Sequence, residues 1–280
     1  MRTISLDNVR DTVNKLYVDA CYNLSEDMRK AFKNAIKTEA SPQGREVLQL
    51  ISQNADVAEK ERLPLCQDTG LAVVFIELGE EARFDRPGFK EAIDEGVRGA
   101  WKNGLLRASV AKDPLKRGNT KDNTPAFVHV EIVPGEKMKI IVGAKGTGSE
   151  NMSKMKILSP SAGVEGAKEF VLETVKVAGS NACPPLVIGV GIGGNFENVT
   201  MLAKKALFRP LHERNKDEDL AKLEEEWLRE VNKLGIGPQG LGGSTTALAI
   251  HIETMPCHIG ALPVAVNLDC HAHRYKEAIL

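Results

Sequence analysis

The sequence predicts a mixed α/β (α+β) protein in which a helical N-terminal segment, residues 1–60, leads into a central mixed sheet flanked by helices. Three observations predict it. Apolar residues recur at helical spacing near the start, short apolar runs bounded by Gly and Pro take over from residue 70, and amphipathic stretches separate those runs. No internal repeat, low-complexity segment or linker rich in Pro, Gly and Ser interrupts the chain, so residues 1–280 read as one domain.

The elements follow in order. Val9, Val13, Leu16 and Ala20 keep helical spacing, Phe32 and Ile36 repeat it, and Ser41-Pro42 is a good helix start. Cys21 shares the stripe of Val13, Leu16 and Tyr17 and reads as core. LAVVFIELG (71–79) reads as a strand and 87–103 as a helix. AFVHVEIVPGEKMKIIVGAKG (126–146) has two β-rich runs around a Pro-Gly turn, which predicts a hairpin. VEGAKEFVLETVKVAG predicts a helix, LVIGVG a strand and 197–206 another helix. DEDLAKLEEEWLREVNKL (217–234) is a charged helix with Leu220, Leu223, Trp227 and Val231 on one stripe, and its charges read as a solvated face. TALAIHIE and LPVAVNLDC close the chain as two more apolar runs.

Composition narrows the function. Thirty-seven basic and 38 acidic residues give a net charge of -1, with no basic block to track a phosphate backbone, so nucleic acid is not expected as a partner. Apolar runs fall well short of the roughly 20 residues that span a bilayer. The N-terminus MRTISLDNVRD is polar, which predicts a cytoplasmic protein with no membrane partner. Five cysteines, Cys21, Cys66, Cys183, Cys257 and Cys270, form an odd set that suits free thiols or metal ligands better than disulfides.

Gly and polar residues concentrate in LCQDTG (65–70), AKGTGSENMSKM (144–155), CPPLVIGVGIGGN (183–195) and GIGPQGLGGSTT (235–246). Each could bring backbone N–H groups close to an anion, or could simply be a tight turn. Gly189, Gly191 and Gly194 fit G-x-G-x-x-G, but no second strand ending in an acidic residue follows, so a dinucleotide site is not supported. The last segment lacks a P-loop lysine, because Ser244 follows Gly243 directly. Cys66, Cys183 and Cys270 lie far apart and form no local metal motif. Their company is unusual for structural thiols: Gln67-Asp68 follows the first, Pro184-Pro185 the second, and His271, His273 and Arg274 the third. Buried thiols and a closed zinc site completed by His258 or His271, in a protein with no catalytic role, both stay open on residue types alone.

Taken together, CQDTG (66–70), LLRAS (105–109), KGTGSENMSKM (145–155), CPPLVIGVGIGG (183–194), GPQGLGGSTT (237–246) and PCHIGALPVAVNLDCHAHR (256–274) resemble the α-type catalytic domain of iron-sulfur hydro-lyases, the family of class I fumarases and L-tartrate dehydratases. The resemblance covers nearly the whole chain. It implies a 4Fe-4S cluster on Cys66, Cys183 and Cys270 with one iron lacking a protein ligand, and gives Cys257 no ligand role. It implies that Gln67 and Asp68 contact a small dicarboxylate substrate, fumarate or malate, that Arg107 grips a carboxylate, and that His258 bonds Asp68 or the substrate hydroxyl. Backbone N–H groups around Gly146 and Gly148 would take a carboxylate oxygen. Thr147 stands between them where many family members have a third glycine. The length resembles that of a separate α subunit, which implies a separate β-type partner subunit and an α2β2 assembly. The implied activity is fumarate hydration, with L-tartrate dehydration as the alternative.

Overall fold

The computed structural model describes residues 2–280. In chain order the elements begin with β1 (Arg2–Ile4), α1 (Leu6–Tyr22), α2 (Glu26–Thr38), α3 (Pro42–Glu61), β2 (Leu71–Gly79), β3 (Ala82–Phe84), α4 (Phe89–Asn103), β4 (Phe127–Val133) and β5 (Met138–Lys145). They continue with the single turn α5 (Thr147–Glu150), β6 (Lys154–Leu158), α6 (Gly163–Ala178), β7 (Leu186–Gly193), α7 (Asn198–Ala206), α8 (Glu218–Lys233), β8 (Ala247–Met255), β9 (Leu262–Asp269) and β10 (Tyr275–Ile279). The class is the mixed α/β one expected, and the helical N-terminal segment is present. Among the described residues, no helix is long and apolar enough to cross a membrane.

The chain forms two compact units. The first comprises residues up to Ser25, Asn54–Thr147 and Arg274–Leu280. Its four-stranded sheet has the order β10-β5-β2-β4. The expected hairpin is absent: β2 lies between β4 and β5, parallel to the first and antiparallel to the second. The reason lies in β2 itself. Ala72 to Ile76 are buried without alternation, the pattern of a strand covered on both faces, so it takes the centre and displaces the sequence neighbours to either side. β4, with Phe127, Val130 and Ile132 exposed, takes the edge. The core joins α1 (Val9, Val13, Tyr17) to α4 (Ile93, Val97) and to Val74, Ile76, Ile140 and Val142 of the sheet. A side chain at Gly96 would meet the carbonyl of Arg10 at 2.6 Å, so glycine there lets α4 seat against α1. Cys21 is fully buried, as expected, and burial pushes its thiol up to about 11.

The second unit comprises Glu26–Gln53 and Gly148–His273, with the sheet order β6-β9-β7-β8. β7 runs parallel to β8 and antiparallel to β9. A Cβ on Gly189 would sit 2.1 Å from the carbonyl oxygen of Ala203, and one on Gly191 would sit 2.3 Å from that of Val199. The glycines of GVGIGG therefore serve backbone packing of α7 on β7, which accounts for the near-match to a dinucleotide fingerprint. α8 starts on Asp217, whose carboxylate accepts the N–H groups of Asp219 and Leu220 at 2.9 and 3.2 Å, a cap worth about 1 kcal/mol. Trp227 and Val231 enter the core, as their spacing predicts. The charges of this helix are not all solvated: Glu224 is buried, pairs with Arg209, and accepts from Ile252 N–H at 2.7 Å and Asn215 Nδ2 at 3.0 Å.

His251 on β8 is 2% exposed and donates from Nδ1 to the carbonyl of Ala206 at 3.1 Å. Burial, aided by the charge of Arg209, pulls its pKa down to about 3 from 6.5. The folded state thus holds this ring neutral while the unfolded chain protonates it, so stability falls as pH drops below 6.5 and levels off near 3. Over that window this residue should contribute a slope of up to about 1.4 kcal/mol per pH unit. Urea unfolding of wild type and His251→Gln between pH 7 and 4 checks it: the slope should be shallower in the variant.

Candidate active site

In the first unit the register pairs Leu71 with Lys145, so the loop entering β2 and the loop leaving β5 lie side by side. These loops are CQDTG and KGTG. At their contact Gly70 has φ +72, and a Cβ there would be 2.1 Å from the carbonyl oxygen of Lys145. Gly146 is buried, and a Cβ on it would lie 3.4 Å from Arg274 Nη2 and 3.5 Å from Asp68 Oδ2. Glycine at 70 thus lets the two loops meet, whereas at 146 an added Cβ would make only ordinary contacts.

Asp68 is the centre of this arrangement. Its Oδ1 accepts from Gly70 N–H at 2.9 Å and from the Ser109 hydroxyl at 3.1 Å. Oδ2 accepts from Thr147 N–H at 2.9 Å and the Thr147 hydroxyl at 3.2 Å. Its backbone carbonyl accepts from Arg274 Nη1 at 2.7 Å. Burial pushes the carboxyl up, but Thr147 N–H, Gly70 N–H, the Ser109 hydroxyl and the charge of Arg274 together outweigh it and hold the group below the ordinary aspartate value. Asp68 N–H in turn points at Cys66 Sγ at 3.4 Å, the kind of amide-to-sulfur contact that stabilises a thiolate. The Cys66 thiol lies 3.5 Å from Gln67 Oε1, with Gln67 itself exposed. Arg107 is exposed and lies two positions before Ser109; among the described residues its guanidinium has no hydrogen-bond or ion-pair partner.

In the second unit Cys183 and Cys270 are both half-buried. Cys183 follows a short 3-10 turn in the left-handed region (φ 53), and its carbonyl accepts His271 N–H at 3.1 Å, which ties it to the residue after Cys270. Gln239 reinforces the tie by donating from both its backbone N–H and its side-chain amide to the carbonyl of Pro184, each at 2.8 Å. Asp269 accepts Cys270 N–H at 3.1 Å and bonds His273 Nδ1 at 2.6 Å. Gly148 is exposed, and a Cβ there would meet the carbonyl of Asn181 at 3.3 Å. His258 is exposed on the β8–β9 connection, and its Nδ1 accepts Gly260 N–H at 3.0 Å, so a neutral ring carries its proton on Nε2. Cys257 is exposed, and its thiol donates to the carbonyl of Ala261 at 3.4 Å.

The first unit therefore gathers Cys66, Gln67, Asp68 and Gly146 at one place, with Arg107 joined to them through Ser109. The second gathers Cys183 and Cys270. Among the described residues, no three His, Cys, Asp or Glu side chains stand together as a ready-made metal site. Sequence reasoning passed over Ser109, Thr147 and Arg274 as partners of Asp68. Each stood inside or beside a quoted motif, but a donor to a particular oxygen leaves no periodic signal.

A mixed α/β protein with loop-borne thiols and a heavily bonded carboxylate is the class that fold and site define. Residues 10–279 match the family model of fumarate hydratase (Fumerase). The chain is 42% identical over 272 residues to a candidate L(+)-tartrate dehydratase subunit alpha of Methanocaldococcus jannaschii, covering 95% of each chain. It is 33% identical over 255 residues to the L(+)-tartrate dehydratase subunit alpha of Escherichia coli, covering 90% of this chain and 84% of the relative. The Shigella sonnei subunit of the same name is 32% identical over the same length. The chain belongs to this fumarate hydratase family of hydro-lyases.

The Gly70 contact makes a stability prediction. Gly70→Ala must move the Lys145 backbone as well as strain φ, and should cost at least about 2 kcal/mol. Gly88→Ala, also at positive φ but with nothing within 4 Å, should cost visibly less. Denaturant unfolding of the two variants tests this; equal losses would remove the packing explanation.

Proposed function

We propose that this chain is the cluster-bearing α subunit of a two-subunit class I fumarate hydratase, which interconverts fumarate and malate. The observation that carries the reading is Asp68: an ionised carboxylate saturated by four donors, adjoining Cys66 and one loop from an unpartnered arginine. L-tartrate dehydration is the second reading, favoured by the names of the relatives. The two substrates share the dicarboxylate skeleton and differ in one hydroxyl.

The donor chemistry fits a 4Fe-4S cluster. Cys66, Cys183 and Cys270 are loop-borne and partly accessible, whereas Cys21 is buried with a raised thiol pKa and is unsuited to ligation. When bound, such a cluster with one iron lacking a protein ligand supplies a Lewis acid for the departing or attacking hydroxide, without electron transfer. The chain's own residues do the rest. Arg107 offers a planar fork to one substrate carboxylate. Gln67 offers an amide beside Cys66. Backbone N–H groups around Gly146 and Gly148 would take a carboxylate oxygen, with the N–H of Thr147 reserved for Asp68. Asp68 exchanges one of its two hydroxyl donors, Ser109 or Thr147, for the substrate hydroxyl or water and holds it in orientation, and His258 presents Nε2–H as a donor to the same oxygen.

The relatives' designation as subunit alpha supports a separate β-type subunit that supplies the remaining groups, in an α2β2 complex. After anaerobic reconstitution with iron and sulfide, the chain should hydrate fumarate only with that partner present. Substantial turnover by the chain alone would sink the two-subunit reading, and faster turnover of L-tartrate than malate by the complex would transfer the assignment to the second reading. Cys66→Ser should abolish the visible absorption of the cluster. Arg107→Ala should lower kcat/KM on the order of 100-fold, mainly through KM, if it binds the carboxylate.

A further inference from the structure

Asn123 lies in the loop before β4, outside every motif that marks the family, yet it is fully buried. Its backbone has φ 59, in the left-handed region that asparagine tolerates better than most side-chain-bearing residues. Its Oδ1 accepts Ser109 N–H at 2.8 Å. Its Nδ2 donates to the carbonyl of Gly70 at 3.2 Å and to the hydroxyl oxygen of Tyr17 at 3.0 Å. One acceptor and both amide hydrogens are therefore engaged. The reversed amide would set a carbonyl against the Gly70 carbonyl and an NH2 against Ser109 N–H, so this orientation is the one the pocket accepts.

The choice of partners matters more than their number. Ser109 and Gly70 are the two residues that hold Asp68 Oδ1, through the Ser109 hydroxyl and Gly70 N–H. Asn123 grips the opposite side of each: the N–H of Ser109 and the carbonyl of Gly70. Tyr17, itself fully buried on α1, anchors the amide to the core. We propose that Asn123 is a positioning residue that clamps the LLRAS loop to the CQDTG loop, setting the orientation of Asp68 and the path of the backbone from which Arg107 projects. The role rests on the reading of Asp68 and Arg107 as substrate-contacting groups.

No neighbouring residue type does the same work. Glycine keeps the backbone conformation but leaves three polar groups unsatisfied. Aspartate keeps an acceptor for Ser109 N–H but loses both donors and faces the Gly70 carbonyl with charge. The clamp would also hold whether the substrate is malate or tartrate, because it acts on the residues common to both readings.

The test uses the cluster-loaded complex with its β-type partner. Asn123→Gly and Asn123→Asp are expected to lower kcat/KM for the preferred dicarboxylate about tenfold or more, with cluster content unchanged. Tyr17→Phe, which leaves both grips on the loops intact, is expected to lower it less than threefold. The decisive measurement is a double-mutant cycle: in an Asp68→Asn background, Asn123→Gly should cause a clearly smaller loss than in the wild type, because one of the two groups it positions is already gone and only the effect through Arg107 is left. Losses that multiply, or no loss in either Asn123 variant, would overturn the positioning role. A complex that keeps its turnover after Asp68→Asn would instead overturn the site reading and the clamp with it. Amide hydrogen exchange on the single chain gives a readout independent of activity: Ser109 N–H should exchange about tenfold faster or more in both Asn123 variants, and unchanged protection there would refute the clamp even if one variant folds poorly.

Discussion

A carboxylate taken partly out of water must replace its hydration with fixed donors or take up a proton. Asp68 solves this with two donors on each oxygen, and the structure of the first unit follows from where those donors come from. Gly70 lies two residues ahead on the same loop. Thr147 follows β5 and Ser109 follows α4, while Arg274, which bonds the main-chain carbonyl of Asp68, begins the approach to β10. These segments meet because β2 and β5 are sheet neighbours in the register that sets Leu71 beside Lys145, and because β10 pairs with the other edge of β5. A shift of one residue would replace the side chains that join the α1–α4 core, Val74, Ile76, Ile140 and Val142 among them, with those of the opposite face. The hydrophobic pattern of β2 and β5 thus fixes the electrostatics of Asp68.

The second unit meets a different constraint. Its two candidate ligands, Cys183 and Cys270, are held through main-chain bonds. His271 N–H reaches the carbonyl of Cys183, and Asp269 takes Cys270 N–H while bonding His273. Gln239 adds to this through Pro184, reaching from the GPQGLGG loop. That loop is itself anchored by Glu39, a buried carboxylate that accepts Ser244 N–H at 2.8 Å and Ser41 N–H at 2.9 Å. A Cβ on Gly243 would fall 2.7 Å from that carboxylate, which explains one glycine of a run that otherwise looks like a phosphate loop.

The elements whose signal is periodic were legible in the sequence. The stripe from Leu220 to Val231 predicts a helix over 217–234, and α8 is Glu218–Lys233. The apolar run 71–79 coincides with β2. The hairpin at 126–146 failed because a Pro-Gly turn reports a local reversal and not which strand inserts afterwards; β2 outcompetes β4 for the place beside β5 because it buries both faces. Glu224 was hidden for a similar reason, since one buried acid among the exposed acids of the same helix is marked only by its partner Arg209. At the candidate site the motif residues were readable by resemblance, whereas Ser109, Asn123 and Arg274 acquire meaning through contacts that no local spacing encodes.

The saturation of Asp68 also bears on what this chain lacks. Dehydrating a 2-hydroxy diacid requires removal of a weakly acidic C–H proton, and a general base works best when its pKa lies near the working pH and its lone pairs are available. Asp68 meets neither condition: four donors occupy its oxygens and hold it below the ordinary carboxylate range. It is better suited to orient an O–H than to abstract a C–H proton. His258, with Nδ1 engaged by Gly260 N–H, offers a donor at Nε2 rather than an acceptor. In the proposed reaction Asp68 and His258 thus suit orientation and hydrogen-bond donation better than abstraction of the C–H proton. On the proposed reading, that is the role left to a β-type partner subunit: a base able to reach the substrate carbon.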